Sequence, residues 1–141
     1  MVHLTAFDSI DDQASKTLEE GLRQNAREKK APVYEANPLS VLARDEDGTL
    51  IGGLIGKTFW NWLYIDLLWV EKNRRVKGLG SDLVKRAETL ARERGCHSSY
   101  LWTESFEGPN FYPKLGYQQF VVKEDFPLGH QRLGFMKRLA A

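Results

Sequence analysis

The segment RRVKGLGSDLVKRAE, residues 74–88, constrains this chain more than any other. It joins a cationic stretch to Gly78 and Gly80, and the apolar positions that follow recur with helical spacing. Glycines let a backbone approach a ligand closely, and the first N–H groups of a helix have no partner within it. The helix dipole adds about half a positive charge there. The segment therefore predicts a diphosphate-like anion site at a helix start, or a glycine-eased turn beside a solvated basic patch.

Length and composition favour one globular domain over residues 1–141. Hydrophobic residues make up 42% and charged residues 28% of the 141 residues, which is ordinary for a folded domain. The formal net charge of +1 does not favour a nucleic acid or a membrane as the partner. A nucleic-acid binder that uses the KNRRVK stretch is therefore disfavoured.

The chemistry-bearing residues outside that segment exclude some classes of site. Cys96 is the single cysteine, so we expect neither a disulfide framework nor a cysteine-held metal, and Cys96 itself reads as a small core residue. The three histidines show no metal-ligand spacing, and no metal is expected. The first residues lack a secretory signal, and no apolar run has the length of a membrane span. We expect a soluble, cytoplasmic protein.

The first half of the chain predicts a strand, a helix and a three-stranded meander. VHLTAF alternates like a strand, and a helix is predicted from about Ser9 to Lys30, with Ser9 and Asp12 in a capping arrangement. LSVLAR and TLIGGLIG read as a hairpin that turns at DEDG. A turn near Trp60 and Asn61 leads to the aromatic-rich strand WLYIDLLWV.

The second half predicts a helix, three strands and a short helix. The amphipathic helix runs from Gly78 to a terminating Gly95. SSYLWT follows as a strand and EGPNFYPKL as a short helix ended by Gly116. YQQFVV and QRLGFMKRL read as the last two strands. The pattern as a whole predicts an α/β fold.

Two segments together resemble the GNAT family of acetyl-CoA-dependent N-acetyltransferases. WLYIDLLWVEKNRRVKGLGSDLVKRAETLARERGC matches the family's pyrophosphate-binding segment and its Q/R-x-x-G-x-G/A signature, and SFEGPNFYPKLGY matches its FYxKLGY segment. The resemblance covers roughly residues 37–139. It implies a GNAT fold, with a central mixed sheet that splays in the middle and helices on both faces. It also implies transfer of an acetyl group from acetyl-CoA to a primary amine by direct attack in a ternary complex.

The resemblance implies a cofactor site along one strand and the following loop. The backbone of the strand would pair with the pantetheine arm of CoA, and the N–H groups of the loop would hold the pyrophosphate. Arg74 or Lys77 would reach the adenosine 3′-phosphate. Ser105, where many members carry asparagine, is a further candidate. The implied cofactor-binding residues are Leu68, Trp69, Val70, Arg75, Val76, Lys77, Gly78, Leu79, Gly80, Ser81, Ser105 and Tyr112.

The resemblance also implies the catalytic groups. Tyr112 stands where the family usually carries the acid that protonates the departing CoA thiolate. Asp66 and Glu104 are the candidates that would deprotonate the amine, directly or through water, or only attract its charge. A strand N–H near Leu68 would stabilise the oxyanion. The opposing possibility for each side chain is structural: an aromatic in the core, or a solvated or paired carboxylate.

The sequence departs from the family's pattern around Tyr112 and leaves three questions open. Glu107 and Gly108 stand where glutamine and alanine are usual, and Pro113 disfavours helical geometry at Tyr112. A non-catalytic acyl-CoA-binding sensor or scaffold is the alternative function. The acceptor, a small-molecule or peptide amine, stays unidentified. A homodimer is expected only by resemblance.

Overall fold

The structure, a computed structural model, describes residues 1–139, without the side chains of Val76 and Lys77. The chain divides into two units, Met1–Val33 and a second unit that begins at Tyr34. The prediction of a single domain over residues 1–141 stays a prediction. Within the described residues, no helix has both the length and the apolar character that crossing a membrane requires.

The first unit contains one helix, α1, at Asp12–Glu28. Its N-cap is Asp11, whose side chain accepts a hydrogen bond from the Ala14 N–H at 3.0 Å, so the predicted capping by Ser9 was wrong. The predicted strand VHLTAF was also wrong, since residues 2–7 lie in no helix or strand. A strand needs a neighbour for its backbone groups, and the sheet described below contains no residue before Asn37.

The second unit is built on one six-stranded sheet with the order β1-β2-β3-β4-β6-β5. Its β3 and β4 pair in parallel, and the other neighbours pair antiparallel, which confirms the predicted mixed sheet. The bounds of the strands are β1 Asn37–Arg44, β2 Leu50–Phe59, β3 Trp62–Val70, β4 Ser98–Glu104, β5 Gln118–Glu124 and β6 Gln131–Arg138.

The two predicted turns of the meander are confirmed. After β1, the Asp45 carboxylate accepts hydrogen bonds from the N–H groups of Asp47 and Thr49, at 2.9 and 3.0 Å. After β2, Trp60 and Asn61 both have positive φ, 46° and 64°, as a two-residue hairpin turn requires. Local turn chemistry therefore sets the register of β1, β2 and β3.

One helix, α2 at Leu79–Glu93, covers one face of the sheet. Its predicted apolar face is confirmed, because Leu83, Val84, Ala87 and Ala91 are buried in one cluster with residues of the sheet. Gly95, with φ +86°, follows the end of α2 as predicted. Two 3₁₀ helices complete the unit: Lys72–Lys77 before α2, which the sequence analysis missed, and Pro113–Leu115, shorter than the predicted helix.

A buried carboxylate ties α2 to the far half of the sheet. Glu88 of α2 is 2% exposed and receives hydrogen bonds from the Lys137 ammonium, at 3.0 and 3.1 Å. The Tyr117 hydroxyl donates to the same carboxylate at 2.8 Å and lies 2.9 Å from the Ser99 hydroxyl. Burial, followed by the Glu88 charge, raises the pKa of Tyr117. The network anchors the chain just after the Pro113–Leu115 turn.

A β-bulge interrupts the pairing of β2 with β3. Ile55 is opposite Leu67 and Gly56 is opposite Ile65, which leaves Asp66 as the extra residue on β3. A Cβ atom on Gly56 would collide with the carbonyl oxygen of Tyr64. Glycine at this position is therefore what allows the two strands to approach at the bulge.

We predict that Gly56→Ala destabilises the protein by about 1–3 kcal/mol, because the added methyl group meets backbone that cannot rotate away. Gly21→Ala is the matched control, since beyond the adjacent residues and backbone of α1 itself no atom lies within 4 Å of its added Cβ. It should be neutral or raise the stability of α1, as alanine favours helix over glycine. Urea unfolding of both variants checks this, and an unchanged midpoint for Gly56→Ala would contradict the bulge geometry.

Candidate active site

The parallel strands β3 and β4 separate part-way along their length. Their pairing spans four residue pairs, from Trp62–Ser98 to Ile65–Leu101. Beyond them, β3 continues to Val70 beside β2, and β4 continues to Glu104 beside β6. The two inner strand edges therefore have no strand partner, and their free backbone groups can bind an extended ligand. The predicted splay of the sheet is confirmed, and the bulge at Asp66 lies where it begins.

A cavity of about 840 Å³ fills the opening between the separated strands. This volume is within the range of small-molecule sites. Many of the predicted site residues line it: Asp66, Leu68, Trp69, Val70, Arg75, Gly78, Gly80, Ser81 and Tyr112. The lining residues that follow β4, apart from Tyr112, were not among the predicted site residues: Phe106, Glu107, Gly108 and Phe111.

One end of the cavity is formed by the start of α2. Gly78 has φ +76° and is the N-cap of α2, with no side-chain capping bond. The Asp82 N–H is bonded to the Gly78 carbonyl at 3.0 Å, so the N–H groups before it have no acceptor within the helix. These N–H groups and the helix dipole make this end suitable for an anion.

Gly80 has a packing role that its motif position did not reveal. A Cβ atom there would lie 3.3 Å from the Phe111 ring and 3.7 Å from the Val70 side chain. The glycine therefore lets the chain after β4 pack close to the helix start. A side chain at Gly80 would disturb the fold as well as any bound ligand.

The cationic side chains of the loop differ in their surroundings. The Arg75 guanidinium donates to the Val70 carbonyl at 2.9 Å and so fixes the end of β3. Arg74 lies 3.9 Å from Asp45 and 3.7 Å from Glu71, in partly exposed ion pairs. The side chains of Val76 and Lys77 lie outside the described part of the structure, so the predicted contact of Lys77 with a phosphate stays a prediction. Arg75 therefore has a structural role beside its predicted place at the anion site.

Tyr112 lies in the wall of the cavity and is 9% exposed. Its ring packs against Phe111, Tyr117 and Phe135, with centroids 5.1, 6.0 and 5.8 Å away. Its backbone is helical, φ −70° and ψ −37°, although Pro113 was expected to disfavour this. Pro113 occupies the first position of the 3₁₀ turn, where its missing N–H costs nothing. Burial, followed by the Glu107 charge, raises the pKa of Tyr112 to about 12.

The two candidate carboxylates lie in different environments. Asp66 is exposed and lines the cavity, and its carboxylate has no hydrogen bond or ion pair among the described residues. Glu104 is ion-paired with Arg132 of β6 at 3.0 Å and is not in the cavity lining. The Ser105 hydroxyl, also outside the lining, accepts a hydrogen bond from the Gln131 N–H at 3.0 Å. Asp66 is therefore the one of the two carboxylates that faces the opening.

The remaining titratable residues give no sign of a metal centre. Among residues 1–139, no three His, Cys, Asp or Glu side chains are grouped so that they could hold a metal ion. Cys96 is buried, as predicted for a core residue, and burial raises the pKa of its thiol. The cavity offers backbone groups, the Tyr112 phenol, the Ser81 hydroxyl, the Arg75 guanidinium and two carboxylates, Asp66 and Glu107, as its functional chemistry.

Comparisons with known proteins identify the family to which this chain belongs. The sequence profile of the acetyltransferase (GNAT) family matches residues 6–117. The chain belongs to the GNAT acetyltransferase family. A blasticidin-S acetyltransferase of Streptomyces morookaense is 41% identical over 133 residues, which cover 92% of this chain and 93% of that relative. Like the family, the protein is an acetyl-CoA-dependent acetyltransferase.

Solved structures share the fold of this GNAT protein. An acetyltransferase from Bacillus cereus is 30% identical, with a TM-score of 0.84 over 95% of this chain and 97% of that one. An aminoglycoside 6′-N-acetyltransferase complexed with coenzyme A has a TM-score of 0.68 over 97% of both chains. At 19% identity, the second comparison shows the fold alone.

We predict that Tyr112 makes the stability of the protein fall at alkaline pH. Its folded pKa lies above the ordinary value of 10, so the unfolded chain ionises first as the pH rises. The stabilisation is complete below pH 10 and is lost between pH 10 and about 12. From pH 10 to 11, the wild-type protein should lose about 1 kcal/mol more unfolding free energy than Tyr112→Phe. Urea unfolding of both proteins at each pH checks this. Equal losses of unfolding free energy in the wild-type protein and Tyr112→Phe would mean that the Tyr112 hydroxyl is solvated.

Proposed function

We propose that the protein transfers an acetyl group from acetyl-CoA to a primary amine by direct attack in a ternary complex. The observation that carries this proposal is that one cavity joins the free edge of β3 to the uncapped start of α2. An extended amide-containing arm fits the first feature, and a diphosphate fits the second. Coenzyme A has both groups, in that order.

In the proposed complex the pantetheine arm pairs with the backbone of Leu68, Trp69 and Val70. Their strand pairs with β2 on its other side, so the edge toward the cavity is available. The pyrophosphate lies at the N–H groups between Arg75 and Ser81. This arrangement places the thioester near the point where β3 and β4 separate, beside Asp66. A β3 N–H near Leu68 would donate to the oxyanion of the tetrahedral intermediate.

Tyr112 is the proposed proton donor to the CoA sulfur. When the carbon–sulfur bond breaks, the phenol proton passes to the sulfur, and the proton that the nitrogen loses on becoming an amide returns to the phenolate, directly or through water. A thiol has an ordinary pKa of about 8.5, so a phenol with a pKa of about 12 is the weaker acid. The same pKa keeps the phenol protonated at any physiological pH. Its hydroxyl is therefore always available to donate to the sulfur as negative charge develops there.

Asp66 is the proposed group that receives the amine. Its carboxylate is unpaired among the described residues and faces the cavity, where it attracts an ammonium ion and can take its proton directly or through water. Glu104 is proposed in the lesser role of fixing Arg132, because the two are already ion-paired. The amine must lose its proton before it attacks.

The relative named blasticidin-S acetyltransferase suggests where to begin a search for the acceptor. We propose that a panel of amines, with blasticidin S and aminoglycosides first, identifies it by acetyl-CoA-dependent thiol release. Binding of CoA without release for any amine would favour the sensor or scaffold alternative. Cytoplasmic location and a homodimer stay predictions.

We predict that Ser81→Glu weakens CoA binding without unfolding the protein. Ser81 is the third residue of α2, where glutamate stabilises a helix start but places a negative charge at the proposed pyrophosphate site. Ser81→Gln is the matched control, because it has nearly the same shape without the charge. Calorimetry should show CoA affinity at least about tenfold weaker for Glu than for Gln, with the difference reduced at high salt. Equal affinities of the two variants for CoA would contradict a pyrophosphate site at the start of α2.

We predict that Tyr112→Phe lowers kcat by about 10²–10⁴-fold and leaves acetyl-CoA binding largely intact. The ring and its packing remain, and only the donor is lost. Tyr117→Phe is the control, since it removes a buried hydroxyl outside the cavity lining and should affect stability instead. In the wild-type protein, ionisation of Tyr112 should not lower kcat below about pH 11, given its pKa of about 12. The test requires an acceptor for which the chemical step limits the rate. Near wild-type kcat for Tyr112→Phe would then contradict the proposed role of Tyr112 and leave water as the proton donor.

A further inference from the structure

The sheet face opposite α2 carries a row of aromatic side chains. Strand alternation turns Leu63, Ile65 and Leu101 into the core beneath α2. The residues between them point the other way and are only partly exposed. We call this set the aromatic row: Trp62 and Tyr64 of β3, and Tyr100 and Trp102 of β4.

The rings of the aromatic row contact one another across the parallel pair. Tyr64 and Tyr100 are register partners, with ring centroids 4.9 Å apart and planes inclined by 35°. Trp62 meets Tyr100 edge to face, at 5.7 Å and 80°. The two tyrosine rings are therefore tilted against each other and partly overlap, beside the edge of an indole.

The aromatic row begins at the proposed active site. Asp66 follows Tyr64 on the same face, and both Asp66 and Trp102 line the large cavity. The Asp66 charge contributes to a raised pKa of Tyr64, after burial, as expected for close neighbours. From Asp66 to Trp62 the strand spans roughly 13 Å at about 3.3 Å per residue. A molecule held at Asp66 by one end can thus extend along the rings.

The other end of the row opens into a second cavity of about 370 Å³. Trp62 and Tyr100 are shared between the row and this cavity, and its remaining lining is also apolar: Phe59, Trp60, Phe120 and Met136. The face therefore has a carboxylate at one end, flat rings in the middle and an apolar recess at the other end.

The charges on this face identify the end that binds a cation. Arg132 is paired with Glu104, and Lys57 lies over the Phe59 ring, 5.5 Å from its centroid. Asp66 has no ion pair among the described residues, so its carboxylate is available to an ammonium group. Ring faces also attract cations and stack with planar groups.

We infer that the acceptor is an amine carried on a flat, aromatic or conjugated body. Its ammonium end lies at Asp66, its planar body lies over Tyr64 and Tyr100, and its far end reaches the recess at Trp62. Acetylation of this amine rests on the proposed function, whereas its binding to the aromatic row does not. An aliphatic chain or a bulky saturated ring would use the same apolar area without the ring stacking that the partly exposed tyrosines offer.

A matched pair of amines tests this inference on the intact chain with CoA bound. 2-Phenylethylamine and 2-cyclohexylethylamine have the same ethylamine arm, and only the first has a planar ring. We expect calorimetry to show tighter binding of 2-phenylethylamine by about tenfold, and kcat/KM with acetyl-CoA to follow the same order. Equal binding of the two amines would overturn the inference.

Substitutions in the row show whether the rings cause the preference. Tyr64→Leu and Tyr100→Leu keep an apolar side chain and should each reduce the preference for the planar amine severalfold. Phe126→Leu is the control, because Phe126 lines neither cavity and the preference should remain. Asp66→Asn should weaken both amines alike and leave their ratio unchanged. A preference that survives both Leu variants contradicts the inference, and melting curves confirm that each variant is folded.

Two further outcomes separate this inference from the proposed function. Planar-amine binding that depends on Tyr64 and Tyr100, without acetyl transfer, would support the inference and overturn the proposed reaction. Transfer to both amines at equal kcat/KM would support the reaction and overturn the inference.

If a second copy of the chain covers the row instead, neither amine binds, and Tyr100→Leu shifts the sedimentation equilibrium toward monomer. That result also overturns the inference.

Discussion

The limited pairing of β3 with β4 is the constraint on which the rest of the second unit depends. Four residue pairs join the strands, and beyond Ile65 and Leu101 two backbone edges run apart. Unpaired backbone groups are costly unless water or a ligand satisfies them. Other contacts hold the strands apart: β2 and β6 pair with their outer edges, and α2 packs beneath. The fold thus maintains an opening whose free edges an extended ligand can pair with.

The far wall of this opening is fixed by a polar cluster in the core. Glu88 accepts from both Lys137 and Tyr117, and the Tyr117 N–H is bonded to the Tyr112 carbonyl at 3.2 Å. Buried ionic clusters of this kind are strongly destabilising to break, because they leave a buried charge without its partner. The cluster therefore holds Tyr112 firmly in the wall. The same burial that fixes its ring raises the pKa of Tyr112, so the phenol keeps its proton until negative charge develops on the group it faces.

Local signals in the sequence predicted much of the fold, and features set by distant partners were missed. The turn at Trp60–Asn61 and the helix ended by Gly95 were correct because each depends on a few adjacent residues. The strand VHLTAF was wrong because alternation cannot supply a neighbouring strand. The ion pair of Glu104 with Arg132 joins β4 to β6, 28 positions away, and no local pattern reveals it. Likewise, the family signature indicated Gly80 but not its contact with Phe111.

The bulge at Asp66 connects the two halves of the proposed reaction. On regular strands, alternation would continue through β3, but the extra residue leaves both Asp66 and Leu67 exposed and returns Val70 to the core. Before the bulge, β3 is paired with β4 and presents Tyr64 on the open face. After it, β3 is free of β4 and offers backbone to the cavity. An acceptor bound by the first half and a thioester bound by the second would meet at the irregularity, which Gly56 makes possible.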